Sequence, residues 1–86
     1  MPELCRFYGI VIRMYYDDHL PPHFHAAYAG REVVIDIDTL ALIKGKLPPR
    51  AMGLVVEWAA LRQADLRLAW RRAKNLEPPG RIEPLE

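Results

Sequence analysis

The sequence is short of cysteine. Cys5 stands alone, which excludes a disulfide framework and a thiolate zinc cluster within this chain. Glycine is sparse too, five in 86 residues, and 51% of the chain is apolar, which excludes a disordered, low-complexity protein. No apolar run approaches the roughly 20 residues that a membrane span needs. No basic start, apolar stretch and small-residue cleavage site follow one another near Met1, so a cytoplasmic location is expected. At 86 residues there is no room for a second core, and residues 1–86 read as one domain with a shallow site rather than a deep cavity.

Net charge is only +1, but it is unevenly spread. Residues 1–47 carry five Lys/Arg against six Asp/Glu, residues 48–76 six against two, and residues 77–86 one against three. The basic middle suits an anionic partner, nucleic acid or acidic protein, and equally a solvated helix face.

All three histidines fall in Asp17-Asp18-His19-Leu20-Pro21-Pro22-His23-Phe24-His25. Proline fixes its own φ and restricts its predecessor, so the approach to His23 is stiff. Before it, Leu4 to Tyr8 and Ile10 to Tyr16 read as a hairpin turning at Tyr8-Gly9. Strand alternation puts Cys5, Phe7, Ile10, Ile12, Met14 and Tyr16 on the core face, and Leu4, Arg6, Val11, Arg13 and Tyr15 outside. After it, His23 to Ala29 and Glu32 to Asp38 read as a second hairpin with a type II′ turn at Gly30-Arg31. That register pairs Ala26 with Ile35 and Phe24 with Ile37, and sets His25 by Asp36 and His23 by Asp38 on an exposed outer face. A short strand, Ala41 to Lys44, follows.

Pro48-Pro49 marks a helix start. Met52, Val55, Val56, Ala59, Leu66, Ala69, Trp70 and Ala73 make an apolar stripe over Arg50 to Lys74, as one helix or two with a break near Gln63-Ala64-Asp65. Residues 76–86 hold three of the eight prolines and read as an extended tail docked through Ile82 and Leu85. The expected fold is α+β: an antiparallel meander of about four strands (1–47), one or two helices (48–75), and the tail.

Three chemistries fit the histidine segment. His19, His23 and His25, or two of them with Asp36 or Asp38, match three positions of a zinc, iron or manganese site. The further strands and glutamate of a cupin-type barrel are missing. Alternatively, a histidine paired to an aspartate shuttles protons, and Arg6, Arg13 and Tyr15 on the same face suit phosphate oxygens and a stacked base, as in RNA cleavage. The plain structural alternative is a pair of cross-strand His–Asp contacts. On the helix, Arg67, Arg71 and Lys74 form a basic ridge flanked by Arg62 and Arg72, fit for DNA or an acidic partner. A helix-turn-helix is disfavoured without a glycine turn, and Trp70 and Trp58 read as core anchors.

Gly9-Ile10, His19-Leu20-Pro21-Pro22-His23-Phe24-His25, Tyr28-Ala29-Gly30-Arg31-Glu32, Gly45-Lys46-Leu47-Pro48, Glu57-Trp58-Ala59 and Ala69-Trp70 together make the chain resemble a bacterial family known as domain of unknown function 4160. The resemblance runs through the Ile82 to Glu86 ending. It implies a small cytoplasmic protein, often encoded beside a member of another uncharacterised family, numbered 2442. That pair looks like a toxin–antitoxin module with this chain as the toxin and the other as its antitoxin-like partner. Some relatives carry a label of transcriptional regulator. By motif position the resemblance singles out His19, His23 and His25, and it brings no settled mechanism.

The expectation is therefore a toxin-like protein acting on RNA or another phosphate-bearing target. His23 or His25 serves as acid or base with His19 beside them, Asp36 orients it, and Arg13 and Arg6 bind the anion. The alternatives are a non-enzymatic module that binds a partner protein or DNA through Arg67 and Arg71, and a metal-binding domain using His19, His23 and His25. Self-association is compatible with each.

Overall fold

The computed structural model describes residues 2–86. Five strands come first: β1 (Glu3–Phe7), β2 (Ile10–Arg13), β3 (His23–Tyr28), β4 (Arg31–Asp36) and β5 (Leu42–Gly45). Two helices follow, α1 (Pro49–Leu61) and α2 (Gln63–Lys74). The strands form one antiparallel sheet in chain order, β1 to β5. The α+β class stands, with one strand more than the expected four.

The first hairpin turns at Tyr8-Gly9, where both residues take positive φ, 50° and 81°. Phe7 pairs Ile10 and Cys5 pairs Ile12, as alternation requires. A shift between Glu3 and Cys5 breaks the alternation below them, so Leu4, expected outside, is fully buried beside Cys5. Tyr16, expected in the core, lies beyond the end of β2 and is 44% exposed.

The second hairpin corrects the expected register. Its turn is Ala29-Gly30, with φ of 50° and 78°, in place of the type II′ turn at Gly30-Arg31. Positive φ at both central residues is type I′ geometry, whose twist matches the flanking strands. Tyr28 therefore meets Arg31, Ala26 meets Val33, Phe24 meets Ile35, His25 meets Val34 and His23 meets Asp36. The displacement is two residues on β4. Because side chains alternate with period two, the faces survive and only the partners change. Phe24, Ala26, Val33 and Ile35 still point inward, and all are fully buried.

The helical stretch is two helices. They part at Arg62 (φ −118°, ψ 21°), one residue before the expected break. Ala51, Val55, Trp58 and Ala59 from α1, and Leu66, Ala69, Trp70 and Ala73 from α2, close the core over the inner sheet face. Met52 and Val56, expected in that stripe, are only half-buried. Trp58 is fully buried, packing on Phe7 and Phe24 at ring distances of 5.6 and 5.7 Å.

The tail docks as expected. Ile82 is buried, and its N–H donates to the Leu4 carbonyl (3.0 Å), while Trp58 Nε1 donates to the Glu83 carbonyl (2.8 Å). Leu85 packs partly buried against the core. The tail thus lies along β1 at one edge of the sheet. Among the described residues no helix is long and apolar enough to cross a membrane.

Candidate functional site

His23 and His25 are two apart on β3, so both rings leave the outer face. The segment between β2 and β3 curls back and carries Asp18 over them. It is held from the other side by α2. The Asp17 N–H donates to the Ala73 carbonyl (3.0 Å), and Lys74 Nζ donates to Asp17 Oδ1 and to the Asp18 carbonyl, both at 3.1 Å. Trp70 of α2 lies under the His23 ring, 5.2 Å between centres.

Hydrogen bonds fix how each ring is presented. His23 Nδ1 lies 2.7 Å from the Pro21 carbonyl oxygen. A carbonyl only accepts, so Nδ1 carries the proton of that bond. His23 Nε2 then faces Asp18 Oδ2 at 2.9 Å. His25 repeats the pattern: Nδ1 lies 3.2 Å from Glu32 Oε1, and Nε2 lies 3.6 Å from the same Asp18 Oδ2. That last distance is too long for a hydrogen bond. The buried His25 Nε2 has no hydrogen-bond partner among the described residues. Asp18, His23 and His25 thus each offer one ligand atom to a common point, and these atoms all lie within 4.8 Å of one another.

Electrostatics agree with an ionised carboxylate there. Burial pushes the Asp18 carboxyl up, but the His19 N–H and ring, together with the His23 ring beside it, outweigh it and hold it down at about 2. The Tyr15 phenol is pushed up, first by burial and then by the Glu32 carboxylate, so it stays protonated at neutral pH. Tyr15 covers one side of the cup, its ring 4.2 Å from that of His25. Ile43 and Lys44 of β5 line the other side.

The expected exposed histidine cluster is mostly a buried one. His23 is 3% exposed and the His25 side chain 12%; only the His19 side chain, at 85%, is open to solvent. His19 touches the site through Nδ1, 2.9 Å from Asp18 Oδ1. Asp36 does not orient a histidine. Its Oδ1 accepts the N–H groups of Asp38 (2.7 Å) and Thr39 (2.9 Å), closing the turn after β4. Asp38 does not pair with His23 either; it holds Arg67 Nε at 2.9 Å. Arg13 sits opposite His25 on the neighbouring strand, on the site's face. Arg6 is ion-paired to Glu3 (2.7 Å) and lines a separate hollow with Arg72 and Arg81. Of the helix ridge, Arg67 and Lys74 are tied to Asp38 and Asp17, while Arg71 is exposed beside Trp70 and Pro22.

Two site residues were misread or missed. Asp18 stands beside the histidines in sequence, yet strand reasoning favoured Asp36, because nothing in a linear pattern shows a loop folding back. Glu32 was legible: with the turn at Ala29-Gly30 it falls diagonally across from His25, two residues before Val34.

This donor set suits a divalent transition metal. Metal-bound histidines commonly donate their other ring N–H to a carbonyl or carboxylate, as both do here to Pro21 and Glu32. Two histidines and one carboxylate with further positions open match catalytic zinc and non-haem iron sites.

A family model described as "Domain of unknown function (DUF4160)" matches residues 9–71. The matched span holds every residue of the cup and stops short of Lys74 and the tail. No curated protein and no solved structure matches the chain.

Proposed function

We propose, for a chain that belongs to the DUF4160 family, that Asp18, His23 and His25 hold a divalent transition metal and that this centre is where the protein acts. The observation that carries the reading is the convergence of one ligand atom each from Asp18, His23 and His25 within 4.8 Å, with His23 Nε2 and His25 Nε2 at 2.9 and 3.6 Å from Asp18 Oδ2, both Nδ1 atoms already engaged and His25 Nε2 unpaired. An unpaired buried ring nitrogen is costly, and a ligand at that point removes the cost. The metal would acidify a bound water and polarise an oxygen of the target. Arg13 and Lys44 at the rim offer positive charge to phosphate oxygens. Hydrolysis of a phosphate-bearing target such as RNA is the reaction class this favours. It would also account for a toxin-like role opposed by a partner protein.

The test is titration of untagged, metal-stripped protein with zinc, manganese and iron(II), followed by calorimetry and by elemental analysis after dialysis. Equimolar binding is expected, falling at least about tenfold in affinity in His25→Ala, which removes one of three ligands, and in Asp18→Asn, which removes the ligand's charge. Folded parent protein that retains none of the three metals sinks the proposal. RNA degradation that needs the metal, and that His25→Ala loses, would extend it to the reaction class.

A further inference from the structure

The three-atom convergence leaves one histidine out. His19 follows Asp18 directly in the chain, and its side chain is the exposed one of the cluster. It offers no atom to the common point formed by Asp18, His23 and His25. Instead it gives two contacts to a single oxygen. The His19 N–H donates to Asp18 Oδ1 at 2.8 Å, and ring Nδ1 lies 2.9 Å from the same atom. An ionised carboxylate only accepts, so Nδ1 carries the proton of the second bond.

Counting lone pairs gives this pairing a meaning. A carboxylate oxygen has about two acceptor sites. His19 takes both of those on Oδ1. Oδ2 is turned the other way, 2.9 Å from His23 Nε2 and 3.6 Å from His25 Nε2. The backbone behind the carboxylate is fixed too. Lys74 Nζ donates to the Asp18 carbonyl at 3.1 Å, and the neighbouring Asp17 N–H donates to the Ala73 carbonyl at 3.0 Å. The loop sets where Asp18 stands, and His19 sets which of its oxygens faces the histidines.

We infer that His19 is a positioning residue for the metal centre: it makes Asp18 a one-oxygen ligand and so keeps a place on the ion open for water and target. This rests on the metal reading above. A carboxylate with both oxygens free can bind an ion through both, which fills one position more. With Oδ1 already saturated, only Oδ2 is left to ligate. An ion held by His23, His25 and one oxygen of Asp18 then keeps a fourth position, the arrangement of catalytic rather than structural zinc. The cup has room for what would enter there, about 320 Å³ bounded by Tyr15, Val34, Ile43 and Lys44.

The experiment loads the full chain with cobalt(II), whose visible absorption is strong when four-coordinate and weak at higher coordination. Zinc affinity is measured beside it by calorimetry. The parent is expected to give the strong spectrum. His19→Ala removes the ring donor and frees a site on Oδ1. Its bands should weaken as Asp18 turns to bind through both oxygens, and its zinc affinity should fall about tenfold as the carboxylate loses its fixed direction. His19→Asn, whose amide N–H can stand in for Nδ1–H, should restore the parent's spectrum and affinity. A His19→Ala protein that matches the parent in both overturns the inference and leaves the metal reading intact. So does His19→Asn that behaves like His19→Ala, since the imidazole is then itself a ligand. A parent spectrum that is already weak overturns it as well. Folded parent protein that takes up neither cobalt nor zinc removes the metal reading, and this inference with it.

Discussion

Asp18 does more than any other single residue at this end of the sheet. It accepts from the His19 N–H and ring, lies 2.9 Å from His23 Nε2, and faces the unpaired nitrogen of His25. Its folded-state carboxyl sits at about 2 against an ordinary 3.8, so the folded protein takes up this proton at lower pH than the unfolded chain does. The resulting stability is fully present above pH 4 and is lost as pH falls toward 2, and the shift corresponds to about 2 kcal/mol. In metal-stripped protein, Asp18→Asn should therefore lower unfolding free energy by up to about that amount at pH 6, solvent screening reducing it, while the gap from the parent closes between pH 4 and 2. Urea melts across that range check it; a gap that is constant with pH would remove the ionisation account. At this scale the sequence was only half legible. The crowding of three histidines marked the place, but the carboxylate that joins them reaches it through a bend in irregular backbone, which no periodicity encodes.

Elements were easier to read, because alternation and helical spacing are properties of neighbours in sequence. The faces of β2, β3 and β4 followed from period two, and the error in the second hairpin arose from where the turn sits. Ala29 takes a positive φ that alanine seldom adopts, so nothing in its identity pointed to it. The contrast between two glycines tests how strongly β5 is tied to β4. Gly45→Ala places a methyl group against the Glu32 carbonyl in a left-handed conformation. It should cost about 2–3 kcal/mol and speed amide exchange throughout residues 42–45. Gly53→Ala, in the exposed middle of α1 with nothing near its added methyl, should instead stabilise by up to about 1 kcal/mol. Thermal melts of both variants give the comparison, and equal effects would mean that β5 is not fixed by Gly45.

The whole molecule is closed by two long-range ties. One is the tail, joined to β1 through Ile82 and to α1 through the indole of Trp58. Trp58→Phe keeps an aromatic ring in the core but leaves the Glu83 carbonyl without its donor. A loss of about 1–2 kcal/mol is expected, with faster exchange of the Ile82 amide than of β3 amides. Uniform acceleration would show that the tail has no separate stability. The composition and prolines of residues 76–86 made the tail's extended form legible, whereas its hydrogen-bond partners lie up to 78 positions away and were not. The other tie joins the end of α2 to the loop that carries Asp18, through Ala73 and Lys74. It has a consequence for timing. All three converging side chains are made within the first 25 residues, but the clasp that sets Asp18 over the histidines arrives 49 residues after His25. A nascent chain carries the donors long before it can arrange them. During translation the loop that carries Asp18 therefore gains these last hydrogen bonds only after α2 has emerged.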